Sequence, residues 1–179
     1  VVSAAVCLKD TSFVNRIADS KKLSQRMREK AFHEIFERAW VGVGIMNERV
    51  IDEVNILNAT HLAMTQAIKD LWGRMKAEAF SEAGDNSLVR VIVDGNSYRG
   101  SIPFAVQCVV AGDAKSLCIA CASIVAKVTR DRLMEQYDKA YPQYGFLKHK
   151  GYPTREHRQA VKAFGLSPIH RRTFTVSFS

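Results

Sequence analysis

An α/β layered domain is the fold class this chain predicts, on three observations. β-branched apolar runs alternate with stretches of helical periodicity. Short polar turns separate them, with no Pro/Gly/Ser linker or repeat. The composition is that of a globular chain, 47% hydrophobic and 25% charged over 179 residues. A chain of this length buries about 70% of its unfolded surface, so it needs neither disulfides nor a structural metal. No apolar run approaches the ~20 residues that span a bilayer, which excludes an integral helical membrane protein. The first residue is Val1, and no basic stretch precedes the opening apolar run. That run reads as a strand cut at its front rather than a signal peptide, and the sequence reads as a fragment.

Each element has its own signal. Residues 1–8 form a strand by length and β-branched content, expected to be buried. A loop with Asp19-Ser20-Lys21-Lys22 follows, and Ser24 is placed to N-cap a helix reaching residue 40. Met27, Ala31, Ile35 and Ala39 recur there at helical spacing. Residues 41–46 make a short strand. A long helix over 55–80 turns Ile56, Ala63, Ala67, Ile68 and Leu71 inward; Gly73 is expected to end or weaken it, and residues 83–87 form a loop. Strands over 88–93 and 104–110 end at Asp94-Gly95-Asn96 and Gly112-Asp113. A helix over 117–137 and a loop over 141–153 follow. Last comes a basic helix capped by Thr154 and stopped at Gly165.

Charge is uneven along the chain. The formal net charge is +8, from 26 Lys and Arg against 18 Asp and Glu. Between residues 141 and 172, Lys148, Lys150, Arg155, Arg158, Lys162, Arg171 and Arg172 face one acid, Glu156, so this segment carries +6. His149, His157 and His170 lie in it too. Such a patch attracts a polyanion, of which nucleic acid is the commonest in cells; on charge alone it is equally a solvated face. The cysteines are Cys7, Cys108, Cys118 and Cys121, and the last two have redox or zinc spacing. Zinc would need four ligands, and no second pair stands at matching spacing. In the apolar run over 117–128, cysteine acts as a small hydrophobe. Reduced thiols then predict a cytosolic protein.

Asp94 and Asp113 each lie just beyond a hydrophobic strand, where open α/β sheets gather ligands. If the strands are neighbours, two carboxylates meet, and a divalent cation resolves their repulsion. Oxygen-only ligation suits Mg²⁺ or Mn²⁺. The competing reading is that Asp94-Gly95-Asn96 is simply a turn.

Eight short motifs stand in order along the chain. They are Asp19-Ser20-Lys21-Lys22-Leu23-Ser24, Ile51-Asp52-Glu53-Val54-Asn55-Ile56-Leu57, Val93-Asp94-Gly95-Asn96 and Gly112-Asp113-Ala114-Lys115-Ser116. Next come Ala122-Ser123-Ile124-Val125-Ala126-Lys127-Val128-Thr129-Arg130-Asp131 and Tyr144-Gly145-Phe146. His149-Lys150-Gly151-Tyr152-Pro153-Thr154 and Ser167-Pro168-Ile169-His170-Arg171-Arg172 complete the set. In this register the chain resembles bacterial ribonuclease HII over nearly its whole length.

The resemblance implies a ribonuclease H-like fold, a mixed β-sheet flanked by helices with a helical C-terminal extension. Residues 1–179 would form one catalytic domain, with 141–179 its basic extension. It implies an endonuclease that cuts the RNA strand of RNA–DNA hybrids and nicks duplex DNA 5′ to embedded ribonucleotides, with Mg²⁺ or Mn²⁺. Of the four metal-holding acids in that family, two match Asp94 and Asp113. The others are an adjacent Asp-Glu pair before a Gly-Arg-Gly turn; they would stand ahead of Val1 and are not in this sequence. Asp52-Glu53 belongs to its own motif and does not replace them. The chain as given is therefore expected to be an impaired catalyst.

By the same resemblance Lys21 and Lys22 contact backbone phosphates, and Tyr152 packs against the sugar at the ribo–deoxyribo junction. Lys148, Lys150, Arg171 and Arg172 would track phosphate as well. The competing roles are solvated loop lysines, a core aromatic and a cover for the last helix. Asp131 resembles a structural position that needs a partner. Leu117 stands where the family usually has Pro. A cytoplasmic monomer of replication and repair, with duplex nucleic acid and no membrane as partner, completes the expectation. The rivals are a non-catalytic hybrid or duplex binder and a thiol oxidoreductase built on Cys118 and Cys121.

Overall fold

The computed structural model describes residues 1–78 and 89–174. Strand alternation puts Ala4, Val6 and Leu8 on one face of β1 (Val2–Leu8). Antiparallel pairing with β2 (Ala39–Ile45) sets them opposite Val43, Val41 and Ala39. This apolar face packs on Ala31 and Ile35 of α1 (Gln25–Arg38). It also meets Cys121, Ile124, Val125 and Val128 of α3 (Leu117–Ala140), and together these residues form the main core.

The opposite face belongs to α2 (Glu48–Glu78). Gly42 and Gly44 line it, and a Cβ at either would collide with α2 backbone at Ala67 and Leu71, or at Ala63. Ala63 and Ala67 are themselves fully buried, so small residues on both sides let helix and strand approach closely. Asp70 and Gln66 of α2 accept the amides of Val43 and Ile45 at 3.0 Å each. That satisfies edge groups of β2 that β1 does not use. Helices thus cover both faces of this pair.

β3 (Arg90–Asp94) and β4 (Ala105–Val109) pair in parallel, Arg90 with Ala105 through Asp94 with Val109. Antiparallel and parallel pairing together give the mixed α/β architecture expected. Among the described residues the strands form two separate two-stranded ladders rather than one continuous sheet. β1 is correspondingly half-buried, with only Ser3 of the strand buried, where a buried strand was expected.

The helices follow their caps. Ser24 Oγ accepts the Met27 amide at 3.3 Å, and α1 ends two residues before residue 40 because Ala39 and Trp40 already pair with β1. α2 breaks at Asn55 (φ 69°, ψ 166°), whose Oδ1 caps the second segment through the Asn58 amide at 3.0 Å. The expected start at residue 55 is thus that of the second segment; an earlier piece begins at Glu48, with Asn47 Oδ1 holding the Val50 amide. Gly73 does not end the helix, which runs to Glu78. The loop expected over 83–87 and the first residue of the strand expected from 88 lie outside the described residues.

Residues 141–153 carry a 3-10 turn at Pro142–Tyr144 and a one-turn helix α4 (Phe146–His149) where a loop was expected. Tyr144 and Phe146 stack and, with Val161 of α5 (Arg155–Phe164), make a second small core against Met134 and Tyr137 of α3. Thr154 caps α5 and Gly165, at φ 74°, follows its end, as expected. Among the described residues no helix is long and apolar enough to cross a membrane.

Candidate active site and nucleic-acid face

Asp94 is the last residue of β3 and Val109 the last of β4, and the two are register partners. Ala111, in the left-handed region (φ 53°, ψ 47°), turns the chain out of β4 into a 3-10 turn at Gly112–Ala114. The Gly112 amide donates to Asp94 Oδ1 at 2.8 Å. A Cβ on Gly112 would meet the Ile119 side-chain end at 2.5 Å and that oxygen at 3.3 Å, so a larger residue here would have to displace the Ile119 side chain. The Asp94 carboxylate is thereby fastened one residue from Asp113.

Asp94 is exposed and Asp113 half-buried. No ion pair among the described residues engages either one. The nearby Lys115 ammonium is committed to the Val110 carbonyl at 2.8 Å. No group of three or more His, Cys, Asp or Glu gathers among the described residues. Two carboxylates, oxygen donors only, fit a hard cation that keeps several waters, as Mg²⁺ does.

Lys21 and Lys22 sit exposed on a 3-10 turn at Ser20–Lys22. That turn is pinned at Asp19, which accepts the Lys21 amide at 2.9 Å, and at Ser20, whose hydroxyl lies 2.9 Å from Ser123 of α3. Arg28 ties the same turn to α3: its Nη1 donates to the Ser20 and Leu23 carbonyls, and its Nη2 lies 3.8 Å from Asp131.

Lys148 is exposed. Lys150 instead pairs with Glu135 of α3 at 3.1 Å, leaving its side chain 15% exposed. Tyr152 is 59% exposed, with the Arg130 guanidinium 5.4 Å from its ring centre. Arg171 is half-buried and lies 3.6 Å from the Phe174 ring; burial, then the nearby Arg130, lowers its pKa. Arg172 is exposed, and its amide donates to Asp52 at 2.7 Å. Asp52 also accepts the amide and hydroxyl of Thr173. These bonds, the Thr173 hydroxyl foremost, hold its carboxyl below the usual range, so it fastens the C-terminal segment to α2 and lies outside the Asp94 site.

Arg130 had no assigned role in the sequence. Its Nη1 is buried with no hydrogen-bond partner among the described residues, while its charge faces Tyr152. The available signal was its place beside Asp131 in the longest motif. The Cys118–Cys121 pair does not offer reactive thiols. Burial pushes Cys121 up to about 12 and raises Cys118 as well, whereas a nucleophilic thiol needs the opposite shift. All four cysteines are free.

Solved structures share this architecture. Ribonuclease HII from Archaeoglobus fulgidus, in its complex with PCNA, aligns with a TM-score of 0.64 and 22% identity, over 99% of this chain and 89% of that one. Ribonuclease H2 from Pyrococcus horikoshii aligns with a TM-score of 0.64 and 20% identity, over 98% and 95%. The fold is therefore ribonuclease H-like, a mixed α/β arrangement with C-terminal helices. The profile of the family Ribonuclease HII matches residues 1–177, and the chain belongs to that family. It is 47% identical to ribonuclease HII of Ruminiclostridium cellulolyticum over 99% of its length, and 44% identical to that of Acetivibrio thermocellus over 99%. The chain spans just under two thirds of these curated relatives, 65% and 64%.

Proposed function

We propose that the protein is an endonuclease that cuts the RNA strand of RNA–DNA hybrids and nicks duplex DNA 5′ to embedded ribonucleotides. One observation carries the reading: the Gly112 amide fastens the Asp94 carboxylate beside Asp113, at the strand ends where α/β folds gather ligands. Asp94 and Asp113 would hold Mg²⁺ or Mn²⁺. The chemistry such a cation supplies is Lewis-acid stabilisation of charge developing on the phosphoryl oxygens. The chain's own part is positioning. Lys21, Lys22 and Lys148 present ammonium groups to backbone phosphates, which fixes register without reading sequence. Arg171 and Arg172 extend that basic face, whereas Lys150 is engaged by Glu135. Tyr152 offers an exposed ring to the sugar at the junction, where the 2′-hydroxyl separates RNA from DNA. In-line displacement leaves a 3′-hydroxyl and a 5′-phosphate.

The four free thiols suit a reducing cytoplasm. There we place a monomer acting in replication and repair, residues 1–179 forming one catalytic domain with 141–179 its basic extension.

The test is gel separation of a labelled duplex with one ribonucleotide, run with Mg²⁺, Mn²⁺ and chelator. Two carboxylates fall short of the four acids the resemblance implies, so the 179-residue chain alone should bind hybrid weakly and cleave little. Adding a strand that ends in Asp-Glu and leads through Gly-Arg-Gly into Val1 should restore metal-dependent nicking. In that protein Asp94→Asn or Asp113→Asn should each cost at least about 100-fold in rate, the scale of one lost charge-stabilising group. Undiminished cleavage by Asp94→Asn would sink the site; full activity of the 179-residue chain would refute the four-acid requirement. The small donor set among the described residues also suits a non-catalytic hybrid binder. Binding without cleavage in the extended protein would establish that second reading.

A further inference from the structure

Tyr152 stands on a backbone that needs outside support. Lys150 has φ 50° and Gly151 φ 81°, so a residue with a Cβ occupies the left-handed region at the root of the loop. Three imidazoles brace the residues on either side of this bend. His149, buried, meets the Tyr144 carbonyl with Nε2 at 2.8 Å and the Gly151 amide with Nδ1 at 3.2 Å. His157, near the start of α5, meets the Tyr152 carbonyl with Nδ1 at 2.9 Å. Its Nε2 lies 3.0 Å from Nε2 of His170, whose Nδ1 faces the amide and hydroxyl of Ser167 at 3.0 and 2.6 Å.

The partners dictate where each proton sits, because a carbonyl only accepts and an amide only donates. His149 must carry its proton on Nε2 and His157 on Nδ1. His170 must leave Nδ1 bare for Ser167, so it donates from Nε2 to Nε2 of His157. All three rings are neutral in this arrangement. A second proton on His157 would set two N–H groups against each other at the His170 contact; one on His149 or His170 would do so at the Gly151 or Ser167 amide. The His149 and His157 rings also stack at 4.3 Å, where two charges would repel.

We propose that His149, His157 and His170 are positioning residues that act through Tyr152: the neutral relay holds the Gly151–Tyr152 backbone so that the exposed ring meets the junction sugar. Protonation of the relay releases it. This rests on the reading of Tyr152 as the junction contact. The arginines around His157 and His170 favour the neutral state. Arg171 adjoins His170 in sequence, and Arg130 of α3 and Arg158 of α5 line with it a cavity of about 550 Å³ that both His157 and His170 face. Asp52 is occupied by the Arg172 and Thr173 groups, Glu48 lines the same cavity, and Glu135 is paired with Lys150; on the His149 side Asp138, which accepts the Leu147 amide, and Glu156 line a second hollow together with Lys148. Burial foremost lowers the pKa of His157 and of His170; His149 adds to it at His157, and His157 and His149 add to it at His170.

Fluorescence anisotropy on the 179-residue chain with chelator gives the preference for a duplex with one ribonucleotide over an all-DNA duplex. Tyr152→Ala should lower that preference about tenfold, one stacking contact. His157→Phe should do nearly the same, and should add no more than about twofold in the Tyr152→Ala background, since residues acting as one unit are not additive. His157→Asn, which can keep an N–H toward the Tyr152 carbonyl, should restore most of the preference. In the parent chain the preference should fall from about pH 8 to about pH 5, the range over which histidine takes its charge. Nitrogen NMR of the free chain should show His149 and His170 as Nε2–H and His157 as Nδ1–H. An unchanged preference in Tyr152→Ala overturns the junction reading itself. Loss in Tyr152→Ala with additive or absent loss in His157→Phe, a preference flat with pH, or other tautomers overturns the relay alone.

Discussion

Asp131 is 7% exposed, and its oxygens divide between the Lys127 ammonium at 2.7 Å and the Arg28 guanidinium at 3.8 Å. A buried acid needs such partners, and here they join α1, α3 and the lysine-bearing turn. Asp131→Asn should therefore cost about 2 kcal/mol, the range for a hydrogen bond to a charged group. Urea unfolding measures it, and duplex affinity at the same folded fraction should stay unchanged. The histidines give a stability effect with a definite sign. Burial foremost holds His157 and His170 below their usual 6.5. Below that pH the unfolded chain takes up more protons than the folded one. Stabilisation present above pH 6.5 is thus lost as pH falls toward the lower folded values. A melting temperature that holds steady from about pH 7 to about pH 5 would contradict this.

The β2–α2 contact is the element where one atom matters most. At Gly44 an added Cβ would strike the Ala63 carbonyl, which is backbone and cannot rotate aside. Gly44→Ala should destabilise by about 3 kcal/mol, the upper part of the usual overpacking range. Gly73 lies in the same helix with nothing within 4 Å of its would-be Cβ. Gly73→Ala should stabilise by about 0.5–1 kcal/mol, the helix-propensity difference. Thermal or urea unfolding of the two variants separates packing from propensity. The caps at Ser24 and Thr154 were legible because their signals are local. Of the two outcomes expected at Gly73, weakening stands and ending does not, because propensity is a weak prior and burial of Ala63, Ala67, Ile68 and Met75 carries the helix past it.

Over the whole molecule, the lysines assigned to phosphate divide into groups free to meet it and groups already engaged. Lys21, Lys22 and Lys148 are exposed, whereas Lys150 is held by Glu135. If nucleic acid binds here, log affinity falls with log salt at about −0.9 per phosphate neutralised. Replacing Lys21, Lys22 and Lys148 together by Ala should flatten that slope by roughly 2–3 units for any duplex sequence, and Lys150→Ala should barely change it. An unaltered slope in the triple variant would remove these lysines from the phosphate path.

The sequence alone determined the α/β class, the approximate span of most elements and the family register, and it placed Asp94 and Asp113 just beyond two apolar strands. Those rest on signals that lie close together along the chain: β-branched apolar runs, helical periodicity, caps, turn dipeptides and short motifs. Only the tertiary structure decided which charges are engaged and which atoms meet. Lys150 and Lys148 are two residues apart and chemically equal until α3 brings Glu135 to one of them. His149, His157 and His170 counted as adjuncts to a basic patch, because their spacing follows no helical or metal-ligand pattern. They become a relay when α4, α5 and the Ser167–His170 turn fold over one small core and aim their ring nitrogens at fixed donors and acceptors. Asp94 is likewise held one residue from Asp113 by the Gly112 amide, a contact set by the parallel register of β3 on β4 and invisible in either segment alone.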